Sequence, residues 1–71
     1  MDCAKTGLFI KTVRKEKGLT QKQLAERTGI YQADISKIER GLSNPSLLTL
    51  ERLAKGLGMK MTIDFEEPGD N

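Results

Sequence analysis

The stretch Thr20–Gly41, TQKQLAERTGIYQADISKIERG, decides how this chain folds. Counted from a helix start at Gln21, Leu24 and Ala25 fall on one face, and Ile30, Ile35 and Ile38 fall on the inner face of a second helix after Gly29. Thr20 is a good N-cap, and Gln23 stands three residues on, where a capping box places its reciprocal acceptor. The first of these helices is expected to run to about Thr28 and the second from about Gln32 to Arg40, ending at Gly41. A tight turn between two steeply crossing helices needs a positive φ, which Gly29 tolerates at little cost. The crossing itself needs a small residue, and Ala25 supplies one. This is the pattern of a helix-turn-helix.

Outward from that unit, another helix is expected on each side. The N-terminal one begins somewhere in residues 2–6, with Asp2 or Thr6 as its cap, and ends at Lys17 before Gly18. Phe9, Ile10 and Val13 form its expected inner stripe, and Gly7 weakens its start. After the loop LSNPS, Ser46 caps a fourth helix with Leu47, Leu50, Leu53, Ala54 and Leu57 at helical spacing. Gly56 weakens its last turn and Gly58 can close it. The period then changes. In Lys60–Glu66, KMTIDFE, Met61, Ile63 and Phe65 alternate with polar residues, the pattern of a strand with one buried face. No other segment reads as a strand, so its natural partner is the same segment of a second copy, antiparallel across a two-fold axis. The alternative is an extended arm or a fifth helix packed on its own domain. The fold expected is therefore all-α, with four to five short helices in residues 1–58, a dimerisation strand in 59–67 and a disordered tail in 68–71.

Composition narrows the function. Seventy-one residues make one small domain, near the lower limit for folding without staples. The single cysteine, Cys3, has no intrachain partner, and there is no histidine. Catalytic triads, imidazole acid–base work and histidine-ligated zinc are excluded within these residues. No paired carboxylates, nucleophile–base set or phosphate loop is visible, so neither enzyme activity nor a cofactor or metal is expected. No apolar run approaches the ~20 residues that span a membrane, and no signal peptide is visible. The cytoplasm is the expected compartment. The net charge of +2 conceals an asymmetry: residues 1–60 carry all 12 bases and six acids, a net of +6, and residues 61–71 carry four acids. A basic globular part suits a polyanion. The usual use of a helix-turn-helix is to lay its second helix in the major groove of DNA.

From Arg14 to Gly58, RKEKGLTQKQLAERTGI, ISKIERG and NPSLLTLERLAKGLG resemble the Xre/Cro-repressor helix-turn-helix family. The ending GMKMTIDFEEPGDN is similar to that of HipB-type antitoxins, which dimerise through such a strand and repress their own operon. Phage repressors of the family usually have a fifth helix there. The resemblance implies that Thr20 and Gln21 hold a phosphate at a helix N-terminus, where free N–H groups favour an anion; capping alone also accounts for Thr20. It implies that Gln32, Ala33, Ser36 and Lys37 face the bases, Gln32 suited to adenine and Lys37 to guanine, an ordinary solvated face being the plainer account. Lys22 and Arg40 fit phosphate contacts, which position without specifying sequence. Arg14 and Glu39 match a structural pair that steadies the recognition helix. Read as exposed, that pair is worth only about 0–1 kcal/mol, and Arg14 is free to approach a phosphate. Tyr31 stands where the family usually has a small capping residue. It either contacts the DNA backbone or covers the turn, partly buried. Thr28 replaces a more common apolar residue and weakens the inner face.

These readings converge on a homodimeric, sequence-specific repressor of bacterial or phage type, binding double-stranded DNA at a palindromic operator. Two settings compete: an antitoxin that also binds a toxin protein, and a stand-alone regulator. The small size, the absence of an effector domain and the terminal strand favour the antitoxin. A protein-interaction adaptor on the same fold is a third class, against which the basic third helix argues.

Overall fold

The computed structural model describes residues 2–69. Four helices appear among them: α1 (Cys3–Glu16), α2 (Gln21–Thr28), α3 (Gln32–Glu39) and α4 (Leu47–Gly56). Asp2 caps α1, its Oδ1 accepting from the N–H groups of Ala4 at 2.9 Å and Lys5 at 3.1 Å. At α2 the capping box forms in both directions: Gln23 N donates to Thr20 Oγ1 at 3.0 Å, and Thr20 N donates to Gln23 Oε1 at 2.9 Å. Gly29 ends α2 at φ 74°, in the left-handed region that the turn requires. Ser46 caps α4 by accepting from Thr49 N at 3.1 Å. Tyr31 begins α3 without a side-chain cap.

Helix α3 packs against both α1 and α2, and α4 packs against α2. Ile10, Val13, Leu24, Ile35, Ile38, Leu53 and Leu57 form the core, with Leu19, Ala25, Ile30 and Leu50 packed around it. Two expected core positions are corrected. Phe9 is 61 % exposed and Leu47 is 56 % exposed. The buried face of α1 is Gly7, Ile10, Val13 and Arg14, and Phe9 stands off that face, beside the end of α4. Leu47 opens the first turn of α4, before the helix reaches the core.

Gly7 and Gly56, both poor helix formers, are contact points. A methyl group on Gly7 would land on the carbonyl oxygens of Ile38 and Glu39, so α1 lies against the backbone of α3. A methyl group on Gly56 would land on Thr28 Cγ2, so α4 lies against the end of α2. Thr28 is not a weak spot. Its hydroxyl donates to Leu24 O at 2.8 Å and accepts from Ile30 N at 3.2 Å, bridging the turn. Arg52 Nη2 donates to Thr28 O at 3.1 Å, which ties α4 to the same turn.

Past α4, Met59 N donates to Ala54 O at 2.8 Å, closing the helix around Gly58. Residues 59–69 then run without regular structure. Neither a strand nor a fifth helix is present among the described residues of the single chain, because an isolated alternating segment finds no ladder within it. Met61 is half-buried, whereas Ile63 is 58 % and Phe65 93 % exposed. Asp70 and Asn71, half of the tail expected to be disordered, lie outside the described residues.

Candidate nucleic-acid interface

The turn at Gly29 swings α3 across α2, with Ile35 fully buried and Ile38 nearly so. Those two isoleucines fix the rotation of α3. With 3.6 residues per turn, Ala33 and Lys37 then fall on the opposite face, Ser36 falls toward it, and Gln32 stands on its flank in the first turn of the helix; Gln32, Ala33 and Lys37 are exposed and Ser36 is half-buried. Lys22 on α2 and Arg40 at the end of α3 are exposed, and neither they nor Lys37 form an ion pair among the described residues. Arg40 Nε donates to Ser36 O at 3.2 Å, so its guanidinium folds back along α3. Tyr31 is 81 % exposed, which removes the alternative of a tyrosine partly buried over the turn. The hydroxyl of Thr20 accepts from the N–H of Gln23 and keeps its own proton to donate.

Behind this face is a buried charge pair, in place of the exposed one expected from the sequence. Arg14 Nε donates to Glu39 Oε2 at 2.6 Å, and Arg14 Nη2 donates to Glu39 Oε1 at 2.9 Å. The two side chains are only 9 % and 2 % exposed. Arg14 Nη1 donates to Leu19 O at 2.9 Å. The guanidinium is thus committed inside the domain and does not point at a phosphate. Gln21 Nε2 donates to Glu39 Oε1 at 3.1 Å, so a residue expected at a phosphate through the N–H groups of the helix N-terminus holds Glu39 with its side chain. One carboxylate therefore joins α1, the start of α2 and the end of α3. Burial opposes ionisation of Glu39, but the hydrogen bonds from Arg14 and Gln21 and the nearby positive charge outweigh it, and its pKa lies below the usual carboxylate value. The bond to Glu39 raises the Arg14 pKa against its own burial.

A polar cleft not anticipated from the sequence opens between the turn and the loop before α4, lined by Gly29, Tyr31, Asp34, Ser43, Asn44 and Arg52, among others. The capping serine Ser46 and the LSNPS loop were its sequence signals. Proximity to the turn was not one that local pattern carries.

Residues 10–63 match the helix-turn-helix family HTH_3. The chain belongs to that family, a family of DNA-binding transcriptional regulators of the Xre type. It is 46 % identical over 56 residues to the immunity repressor protein of Bacillus phage phi105, covering 79 % of this chain and 39 % of the repressor. It is 41 % identical over 54 residues to the antitoxin HipB of Escherichia coli, covering 76 % of this chain and 57 % of HipB. This chain thus spans well under two thirds of both. Among solved structures, it is similar to the restriction-modification controller protein C.Esp1396I, seen as a tetramer in complex with its natural 35 base-pair operator. There the TM-score is 0.79 at 38 % identity, over 82 % of this chain and 76 % of that one.

Proposed function

We propose that this chain is a homodimeric, sequence-specific DNA-binding repressor that reads an operator with the outward face of α3. The observation that carries the reading is the pairing of an exposed face, Gln32, Ala33 and Lys37, with the buried Arg14–Glu39–Gln21 bridge behind it. A reading element must hold its position against the bases, and the bridge fixes α3 to the two helices that flank it. Gln32 bonds a base edge, adenine being the natural partner of its amide, and Lys37 reaches guanine; Ala33 gives apolar contact to a thymine methyl. Ser36 lies at the margin of this set. Thr20, the N–H groups at the start of α2 around Gln21, Lys22, Tyr31 and Arg40 meet the phosphate backbone. Residues 1–58 form the DNA-binding domain and residues 59–67, through Met61, Ile63 and Phe65, the dimer contact. Two α3 helices would then lie about 34 Å apart on one face of the duplex.

The test is selection of an operator from random DNA by the purified chain, followed by Gln32→Ala. The substitution is expected to cost about 1–3 kcal/mol on the selected operator and little on random DNA. Lys22→Ala is expected to weaken both alike and to flatten the salt dependence. Equal losses for Gln32→Ala on both DNAs would mean that Gln32 only positions the protein.

Two settings for such a repressor have support. Similarity to HipB supports an antitoxin that represses its own operon and binds a toxin. Similarity to the phage immunity repressor supports a stand-alone regulator equally well. Co-purification of a neighbouring gene's product with the tagged chain distinguishes them.

A further inference from the structure

Helices α1 and α4 and the first residues beyond α4 enclose an apolar groove of about 320 Å³. Phe9, Leu50, Ala54, Leu57, Met59 and Met61 give it its character. The chain that walls this groove then leaves it. Met61 faces in, half-buried, and four residues later Phe65 is 93 % exposed. In an extended backbone those four residues span about 13 Å, so Phe65 does not return to the groove beside its own Met61. One chain thus offers an apolar groove with little over it and, at the rim of that groove, an apolar arm with nothing under it.

Resting on the reading of this protein as a dimer, we infer that the groove is filled by the arm of a second copy, in an antiparallel register centred on Ile63. The alternating stretch Lys60–Glu66 has seven residues, and Ile63 is its midpoint. Full overlap of two copies is reached only when Ile63 lies opposite Ile63. Met61 then lies opposite the second copy's Phe65, on the same face of the ribbon. Since Met61 lines the groove, the second copy's Phe65 comes to lie over it. The exchange is reciprocal, as a two-fold axis requires. The polar face is matched in the same register. Lys60 meets Glu66 and Thr62 meets Asp64, each pair occurring twice, and opposite charges across an antiparallel pair are favourable.

Neighbouring registers fail one by one. A centre at Asp64 sets two carboxylates against each other. A centre at Thr62 sets Glu66 opposite Gly58, whose φ of 71° is outside the strand region. A centre between two residues turns every apolar side chain toward a polar one.

Single-cysteine chains test the register. In the full chain carrying Cys3→Ser, which removes the native thiol, Ile63→Cys, Thr62→Cys and Asp64→Cys are oxidised separately. Only residues opposite themselves across the axis come within disulfide reach. Residues one step from the axis are diagonal neighbours at about 7–8 Å, beyond the roughly 7 Å limit for Cα atoms. Ile63→Cys is expected to form the covalent dimer at least severalfold faster than the other two. Lys60→Glu and Glu66→Lys are each expected to raise the dimer dissociation constant severalfold, and the double exchange to restore it. A dimer by sedimentation that cross-links best at position 62 or 64, or at none of the three, overturns this register and leaves the dimer standing. A Cys3→Ser chain that sediments as a monomer at all accessible concentrations overturns the register and the dimer reading together.

Discussion

Glu39 shows how much one side chain carries in a domain this small. Its carboxylate is buried, bonded twice by Arg14 and once by Gln21. Two charges removed from water are not themselves a source of stability, but removing one partner strands the other. Glu39→Ala is therefore expected to cost about 3–5 kcal/mol, measured by urea denaturation, whereas Arg14→Met with Glu39→Leu is expected to be near neutral or stabilising. If the double variant loses as much as the single one, the pair itself is a net source of stability. The same carboxylate gives an acid limb. Its pKa is lower in the folded chain than in the unfolded one. Its contribution is therefore fully present above the unfolded value, about 4.3, and is lost as the pH falls through the lower folded value. The difference in unfolding free energy between the parent and Glu39→Gln is expected to shrink as the pH is lowered from 5 toward ~3. A constant difference across that range would mean that Glu39 does not titrate with folding.

At the scale of the helices, the crossings rest on glycines more than on apolar stripes. Gly7 brings α1 onto the backbone of α3, and Gly56 brings α4 onto Thr28 of α2. Gly7→Ala illustrates two opposed effects. Alanine favours an isolated helix over glycine by about 1 kcal/mol. Here its methyl group meets carbonyl oxygens that cannot turn away without moving α3, and overpacking costs about 1–3 kcal/mol. The net expectation is destabilisation, read as a lower midpoint in thermal melting, together with weaker operator binding because α3 is displaced. A raised midpoint would mean that the helices separate easily at this point. These contacts also mark the boundary of what the sequence makes legible. The capping box at Thr20, the turn at Gly29 and the inward isoleucines of α3 depend on neighbours within one or two turns, so local pattern identifies them. Gly7 looks like a helix breaker because its partner is more than thirty residues away. Arg14 and Glu39 are 25 residues apart, and nothing local tells a buried pair from an exposed one. Phe9 and Leu47 share the spacing of core residues, but periodicity cannot say which apolar residues of a crowded helix the core has room to take.

At the scale of the whole molecule, the globular part and the arm are separable. Every core residue lies between Ile10 and Leu57, and of the described residues beyond 59 only Met61 is even half-buried. Deleting residues 60–71 therefore removes one wall of the α1–α4 groove and none of the core, and the truncated chain is expected to stay helical with little loss in circular dichroism. Its assembly should change. If Met61, Ile63 and Phe65 form the dimer contact proposed above, the truncated chain is expected to sediment as a monomer. Binding to an operator with two half-sites should then weaken far more than binding to one half-site. In the dimer, the first contact raises the effective concentration of the second, and the separated chains lose that gain entirely. Ile63→Lys should act in the same direction in the untruncated chain, by placing two positive charges opposite each other on the proposed two-fold axis. The measurement that decides is the ratio of two-site to one-site affinity for the full and truncated chains, taken beside sedimentation of each. A truncated chain that keeps both the dimer and the ratio would place the dimer contact on the helices and leave the arm for a different partner.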